Sequence, residues 1–269
     1  MRRFYVIGNP VGHSLSPRMH RLFAQQFDLD ISYEHCQMTP GRFIEEMAVL
    51  RREQQPFGCN VTAPFKSDAA DYCDELTERA RLAGAANTLS FIDGKCYGDN
   101  TDGVGFVNDI QQRCGIDLKG QRVLILGAGG ATRGLLSELR SHACACVAVA
   151  NRTLQKAEAL GADFPIRPLS YTDTADGRYD VVINATSAAF SNAAPAVPNT
   201  AFQNACIAYD LAYGPQPSPF MRLAMESGCS RVEDGLGMLV EQGAESFRIW
   251  FGLSPQTGEV YRILRSVVG

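Results

Sequence analysis

The sequence predicts an α/β protein with two domains, the second of them Rossmann-like with a parallel sheet. Three observations lead there. Apolar runs of strand length alternate with segments of helical period, beginning with strand, helix, strand, helix before residue 55. The run Arg122-Val123-Leu124-Ile125-Leu126 meets the glycine-dense turn Gly127-Ala128-Gly129-Gly130-Ala131, and Leu135-Leu136-Ser137-Glu138-Leu139 then opens as a helix. The chain has 269 residues, enough for one large or two medium domains.

The elements follow in order. Phe4 to Ile7 reads as a buried first strand that breaks at Gly8-Asn9-Pro10. Ser16 is placed to cap a helix with Pro17 at its first position, and Met19, Leu22, Phe23 and Phe27 give that helix an apolar face. A strand over Ile31–Met38 precedes a helix over Arg42–Arg52. Phe57 to Lys66 reads as a short strand ending in polar groups, with Pro64 forcing an exposed turn. Thr77 can cap a short helix to Leu82. Asp93-Gly94 between two strand-like runs is a hairpin signal. Asp102 can cap the next helix, Val104 to about Cys114. After the glycine turn come strands over Cys144–Ala150, Asp180–Ser187 and Ala205–Leu211, a helix over Pro219–Glu226 started by Ser218, a long apolar helix through Met238–Trp250, and a last helix over Gln256–Val267.

Composition excludes several function classes. The residues are 45% hydrophobic and 20% charged, with a formal net charge of −4 and no block of like charge, so neither nucleic acid nor an anionic membrane is expected as a partner. No apolar run reaches membrane-spanning length, and the basic start Met1-Arg2-Arg3 leads into too short an apolar run for a secretory signal. Nine cysteines form no Cys-x-x-Cys, and the four histidines have no metal-ligand spacing. Reduced thiols in a cytoplasm, and no metal, are the expectation.

The glycine turn carries the first functional reading. Without side chains at Gly127 and Gly129, a backbone can approach a pyrophosphate closely, with free N–H groups and the positive helix end behind it. The third position of the strict fingerprint holds Thr132 instead of glycine. About 20 residues on, an NAD site needs an acid for the ribose. Here no Asp or Glu lies between Glu138 and Glu158, and Arg152 and Lys156 stand in that region. Cations near a helix start call for an anionic partner, which suits the 2′-phosphate of NADP.

Eight motifs in sequence carry a resemblance. They are Gly8-Asn9-Pro10-Val11-Gly12-His13-Ser14-Leu15-Ser16-Pro17, Asn60-Val61-Thr62-Ala63-Pro64-Phe65-Lys66, Gly84-Ala85-Ala86-Asn87-Thr88, Gly98-Asp99-Asn100-Thr101-Asp102-Gly103, Gly127-Ala128-Gly129-Gly130-Ala131, Asn151-Arg152-Thr153, Asn184-Ala185-Thr186 and Asp234-Gly235-Leu236-Gly237-Met238-Leu239. With these the sequence resembles the shikimate dehydrogenases across essentially its whole length. The resemblance implies a substrate-binding domain over 1–101 with 237–269, an NADP-binding Rossmann-like domain over 102–236, and an active site in the cleft between them. It implies Lys66 and Asp102 as catalytic residues beside the reacting C3 oxygen and the C4 hydroxyl. Ser14 and Ser16 match holders of the substrate carboxylate. Asn60, Thr62, Asn87 and Gln242 match partners of the ring hydroxyls or carboxylate, and Tyr213 lies near the carboxylate. For the cofactor it implies Gly127, Ala128, Gly129, Gly130, Ala131, Asn151, Arg152, Thr153, Lys156, Asn184 and Thr186, with Gly235 near the nicotinamide.

The implied activity is reversible reduction of 3-dehydroshikimate to shikimate with NADPH, in chorismate and aromatic amino-acid biosynthesis, by a cytoplasmic monomer or homodimer. Three positions depart from the family pattern: Lys156 where arginine is frequent, no glycine within Asn184–Ala189, and Ser218 in place of threonine. A sibling enzyme for quinate, aminoshikimate or another polyol acid, and a non-catalytic NADP-sensing module, remain as alternatives.

Overall fold

The computed structural model describes residues 1–186 and 193–269. It divides into two compact units: Met1–Gly105 with Leu239–Ser266, and Phe106–Met238 with Val267–Gly269. These bounds stand beside the expected 101/102 and 236/237 and differ from them because the crossings fall inside continuous helices. Among the described residues no helix is long and apolar enough to cross a membrane, and no group of three or more His, Cys, Asp and Glu could hold a metal ion.

The first unit contains β1 (Arg2–Gly8), α1 (Ser16–Gln25), β2 (Ile31–Gln37), α2 (Phe43–Gln54), β3 (Gly58–Val61), α3 (Lys66–Tyr72), β4 (Glu75–Leu76), α4 (Glu78–Ala83), β5 (Thr88–Ile92) and β6 (Lys95–Asp99). Their sheet order is β2-β1-β3-β5-β6-β4. β1 runs parallel to β2 and β3, while β5 is antiparallel to both β3 and β6, so the sheet is mixed. Asp93 and Gly94, both at positive φ, make the hairpin turn between β5 and β6. One face buries Ile7, Met47, Cys59, Phe65 and Leu89. The other gathers Phe4, Tyr33 and Trp250, and the Trp250 indole N–H donates to the Leu89 carbonyl at 3.1 Å.

α5 (Asp102–Asn108) continues into a π-helical turn at Asp109–Arg113. The second unit then runs β7 (Arg122–Leu126), α6 (Gly130–Leu139), β8 (Cys146–Ala150), α7 (Leu154–Gly161), β9 (Arg167–Leu169), β10 (Val181–Asn184), β11 (Ile207–Asp210), α8 (Pro219–Glu226) and β12 (Val232–Glu233). α9 (Leu236–Phe251) and α10 (Thr257–Val268) close the chain. The sheet order β12-β11-β10-β7-β8-β9 is parallel throughout, and the strand order reverses between β7 and β10. That reversal is where doubly wound sheets bind ligands. The fully buried runs Val123–Leu126 and Val181–Ile183 are the continuous apolar strands such a sheet requires.

Three local expectations are corrected. Ser16 does not cap α1 but is its first residue, and its N–H donates to the Ser14 hydroxyl at 3.3 Å. Asp102 likewise begins α5 instead of capping it. Its N–H is taken by the Asn100 side chain at 3.1 Å, and its own carboxylate is used elsewhere. Lys66 is not on an open turn but opens α3, a helix that escapes sequence reading because it has seven residues and no capping side chain. Thr77 and Ser218 do cap α4 and α8, accepting from Ala80 N–H and Met221 N–H. Of the strand expected to Ser187, β10 covers Val181–Asn184. Ser187, and with it the Ser187–Ala189 part of the stretch lacking glycine, lies outside the described residues.

Candidate active site

In the first unit the polar ends of β3, α3, β5, β6 and α9 supply one hydrogen-bonded cluster. Lys66, at the start of α3, places its ammonium 2.6 Å from Oδ2 of Asp102. The lysine side chain is 29% exposed and the aspartate 8%, so the pair reaches solvent only on the lysine side. Oδ1 of Asp102 accepts from the Asn87 amide at 2.8 Å. The Asn87 oxygen is held by the Thr101 backbone N–H at 2.9 Å, which fixes the amide so that its N–H groups face the carboxylate. Gln242, on α9, presents Oε1 to Asn87 and Thr101, each at 3.3 Å.

Asn60 lies near the end of β3 and is buried. Its oxygen accepts from the Tyr33 hydroxyl at 2.7 Å, and its amide N–H groups lie near the Asn87 carbonyl, Thr88 and Ser246. Ser14 donates to the Ser16 hydroxyl at 3.1 Å. Thr62 is half-buried and donates its backbone N–H to the Ile7 carbonyl at 2.8 Å. Sequence reasoning missed Tyr33, Thr88, Thr101 and Ser246 as members of this set. Only the position of Thr88 and Thr101 inside two of the motifs pointed toward it.

His20, one turn beyond Ser16 on α1, lies against the same cluster. It stacks on Tyr33 with ring centroids 4.5 Å apart and planes 8° from parallel. Neither ring nitrogen has a partner within hydrogen-bonding geometry. Burial depresses its pKa to about 3, against a smaller opposing pull from the Asn60 side chain, so it is neutral in the folded chain.

In the second unit the glycine turn leaves β7 at the strand-order reversal. Gly127 has φ +102, and a Cβ there would come 3.0 Å from the Ala185 carbonyl oxygen, so only glycine fits without strain. A Cβ at Gly129 or Gly130 would meet nothing within 4 Å. Ala128 and Ala131 complete the turn into α6, whose first N–H groups have no side-chain cap. Thr132 is fully buried and donates to the Gly127 carbonyl at 2.7 Å, closing the turn from within.

Beyond β8, Asn151 donates to the Thr153 carbonyl at 2.8 Å, and Arg152 and Lys156 are exposed. Among the described residues no carboxylate pairs with Arg152 or Lys156. Tyr171, half-buried near Arg152, has its pKa raised by burial despite that cation. Asn184 is buried with its polar ends used internally: it donates to Asp210 at 3.0 Å and accepts from Thr186 at 2.7 Å. Tyr213 follows β11, half-buried, its pKa raised by burial and then by Asp234. Gly235 donates to the Ala212 carbonyl, and a Cβ on it would collide with the Leu211 carbonyl. These features fit a dinucleotide. The backbone is bare at Gly129 and Gly130, the helix end is uncapped, and two cations without a carboxylate stand one strand away.

Three family models match the chain: the shikimate dehydrogenase substrate binding domain over residues 6–89, shikimate / quinate 5-dehydrogenase over 109–206, and the shikimate 5'-dehydrogenase C-terminal domain over 235–265. A shikimate dehydrogenase (NADP(+)) of Chromobacterium violaceum is 46% identical over 99% of this chain and 98% of its own. The chain belongs to the shikimate dehydrogenase family. Solved relatives agree. Shikimate 5-dehydrogenase from Thermus thermophilus, in complex with NADP(H) and shikimate, superposes with a TM-score of 0.88 at 36% identity over 99% of each chain. An Ael1 enzyme from Pseudomonas putida gives 0.92 at 40% identity over 98% of each. Within the shikimate dehydrogenase frame, Lys66 and Asn87 fall in the substrate binding domain model and the glycine turn falls in the shikimate / quinate 5-dehydrogenase model.

Proposed function

We propose that this protein is an NADP-dependent oxidoreductase that reversibly reduces 3-dehydroshikimate to shikimate, in chorismate and aromatic amino-acid biosynthesis. One observation carries the reading: a lysine ammonium and a carboxylate 2.6 Å apart, on the solvent-reaching side of a buried polar cluster. NADP, when bound, supplies the hydride or accepts it. The chain's own residues handle charge and protons. Lys66 stabilises the negative charge that develops on the substrate's C3 oxygen and exchanges a proton with it. Asp102 aims the lysine ammonium, and Asn87 keeps Asp102 aimed in turn.

A polyol acid needs many partners, because unpaired buried groups penalise the wrong substrate. Ser14 and Ser16 are assigned to the carboxylate, with Tyr213 near it. Asn60, Thr62, Asn87 and Gln242 are assigned to the ring. Gly127 to Ala131 hold the pyrophosphate, and Asn184, Thr186 and Gly235 complete the cofactor site. Arg152, Lys156, Asn151 and Thr153 hold the 2′-phosphate. The first unit is the substrate domain and the second the NADP domain. The enzyme works in the cytoplasm, as a monomer or homodimer.

The test is shikimate-dependent reduction of NADP followed at about 340 nm, with NAD and quinate as controls. Shikimate with NADP is expected to give the highest kcat/KM. A faster reaction with quinate or NAD overturns the assignment. Arg152→Ala is expected to raise the NADP KM about 10- to 100-fold, the worth of one or two charged hydrogen bonds, and to leave the NAD KM unchanged. Equal effects on both cofactors would take Arg152 away from the 2′-phosphate.

A further inference from the structure

Ser246 is fully buried on α9 and touches four groups of the candidate site. Its hydroxyl lies 2.7 Å from Thr88 Oγ1, 3.0 Å from the Asn60 amide nitrogen, 3.0 Å from the Gln242 carbonyl and 3.3 Å from Thr101 Oγ1. A hydroxyl has one proton, so these contacts cannot all be donations.

The two Asn60 amide protons can be placed by elimination. The Asn87 side-chain oxygen accepts from the Thr101 N–H at 2.9 Å, and the hydroxyls of Thr88 at 2.9 Å and Thr101 at 3.1 Å both reach its other lone pair. Thr88 and Ser246 are bonded at 2.7 Å, and either hydroxyl can be the donor. The one Ser246 proton goes to Thr88 or to the Gln242 carbonyl, and in neither case toward Asn60, whose amide nitrogen can only donate. What is left on Ser246 is a lone pair facing the Asn60 amide nitrogen. The Asn87 carbonyl, 3.1 Å from that nitrogen, can also only accept. Both Asn60 N–H groups are thus committed inside the protein. One lone pair of its oxygen is taken by the Tyr33 hydroxyl. The second lone pair of that oxygen is all that Asn60 has left to offer.

We propose that Ser246, held in place by its bond to Thr88, is a positioning residue. It holds the Asn60 amide so that Asn60 meets the substrate only as a hydrogen-bond acceptor. The site then selects a donor, a ring hydroxyl, at that point and disfavours an analogue lacking it. The proposal rests on the reading of Asn60 as a substrate contact.

The experiment measures shikimate and NADP kinetics for Ser246→Ala, Thr88→Val, Thr88→Ser and Asn60→Ala, each with its melting temperature. Shikimate is compared with the two analogues that each lack one non-reacting ring hydroxyl. Ser246→Ala is expected to raise the shikimate KM about three- to tenfold, the worth of one neutral hydrogen bond, with kcat and the NADP KM within about twofold. Its preference for shikimate over one of the two analogues falls by the same factor. Thr88→Val gives the same split, and Thr88→Ser, which keeps the hydroxyl, does not. A purely structural role would lower the melting temperature without changing analogue preference, and that result overturns the proposal. If Asn60→Ala raises the shikimate KM but Ser246→Ala and Thr88→Val leave KM and preference unchanged, the proposal fails and the site reading stands. If Asn60→Ala leaves the KM unchanged, the site reading itself fails and takes the proposal with it.

Discussion

Lys66→Ala is expected to lower kcat by about 10³- to 10⁴-fold and to move the shikimate KM by no more than a few fold. The asymmetry follows from where the proposed mechanism has the ammonium act. The C3 oxygen carries little charge in either ground state and becomes anionic only as the hydride moves, so the stabilisation belongs to the transition state. Steady-state rates at saturating NADP check it. Turnover within tenfold of the wild-type value would remove Lys66 from the chemistry. Loss of the lysine also leaves the Asp102 carboxylate with the Asn87 amide as its remaining side-chain partner among the described residues. A melting temperature therefore accompanies the kinetics, and Lys66→Arg, which keeps the charge but changes its geometry, separates the two effects.

The second large effect is on stability. His20 titrates near pH 6.5 in an unfolded chain and at about 3 in the folded one, because burial among Tyr33, Phe23 and Trp250 disfavours the cation. Below pH 6.5 the unfolded chain takes up a proton that the folded chain refuses, so stability is lost as pH falls from 6.5 toward 3. The expected slope from this residue is about 1.4 kcal/mol per pH unit, or about 2 kcal/mol by pH 5. That window lies above most of the carboxylate range. Glu245 adds a loss only further down: burial pushes its pKa up, but the hydrogen bonds from Arg248 and Arg79 outweigh this and hold it low. Urea unfolding at pH 7.5 and pH 5 measures the difference. His20→Phe should abolish most of it, and an unchanged difference in that variant would show that His20 is not buried neutral.

Much of this molecule was legible in its residues. The parallel sheet follows from strands too apolar to face water on either side, and the hairpin from Asp93-Gly94. The NADP reading follows from a missing acid. What escaped notice did so for physical reasons. β4, β9 and β12 have two or three residues each and cannot show a period. The π-helical turn at Asp109–Arg113 accompanies tertiary bonds, from the Tyr209 hydroxyl and Arg113 to the Asp109 carboxylate, which no local pattern encodes. Lys66 and Asp102 are 36 positions apart, and only the family resemblance paired them. Ser246 sits in the middle of a largely apolar helix, where a lone serine signals nothing until β3 and β5 are packed against it.

The threonine inside the glycine turn has a consequence for how such chains are found. Genome scans keyed to a third glycine discard this sequence, although its bend is complete. A broader filter would ask for a small hydroxyl residue five positions after the first glycine, able to tie back to that glycine's carbonyl. For anyone reprogramming cofactor choice, position 132 is then a fastener to leave alone while the surface cations are varied.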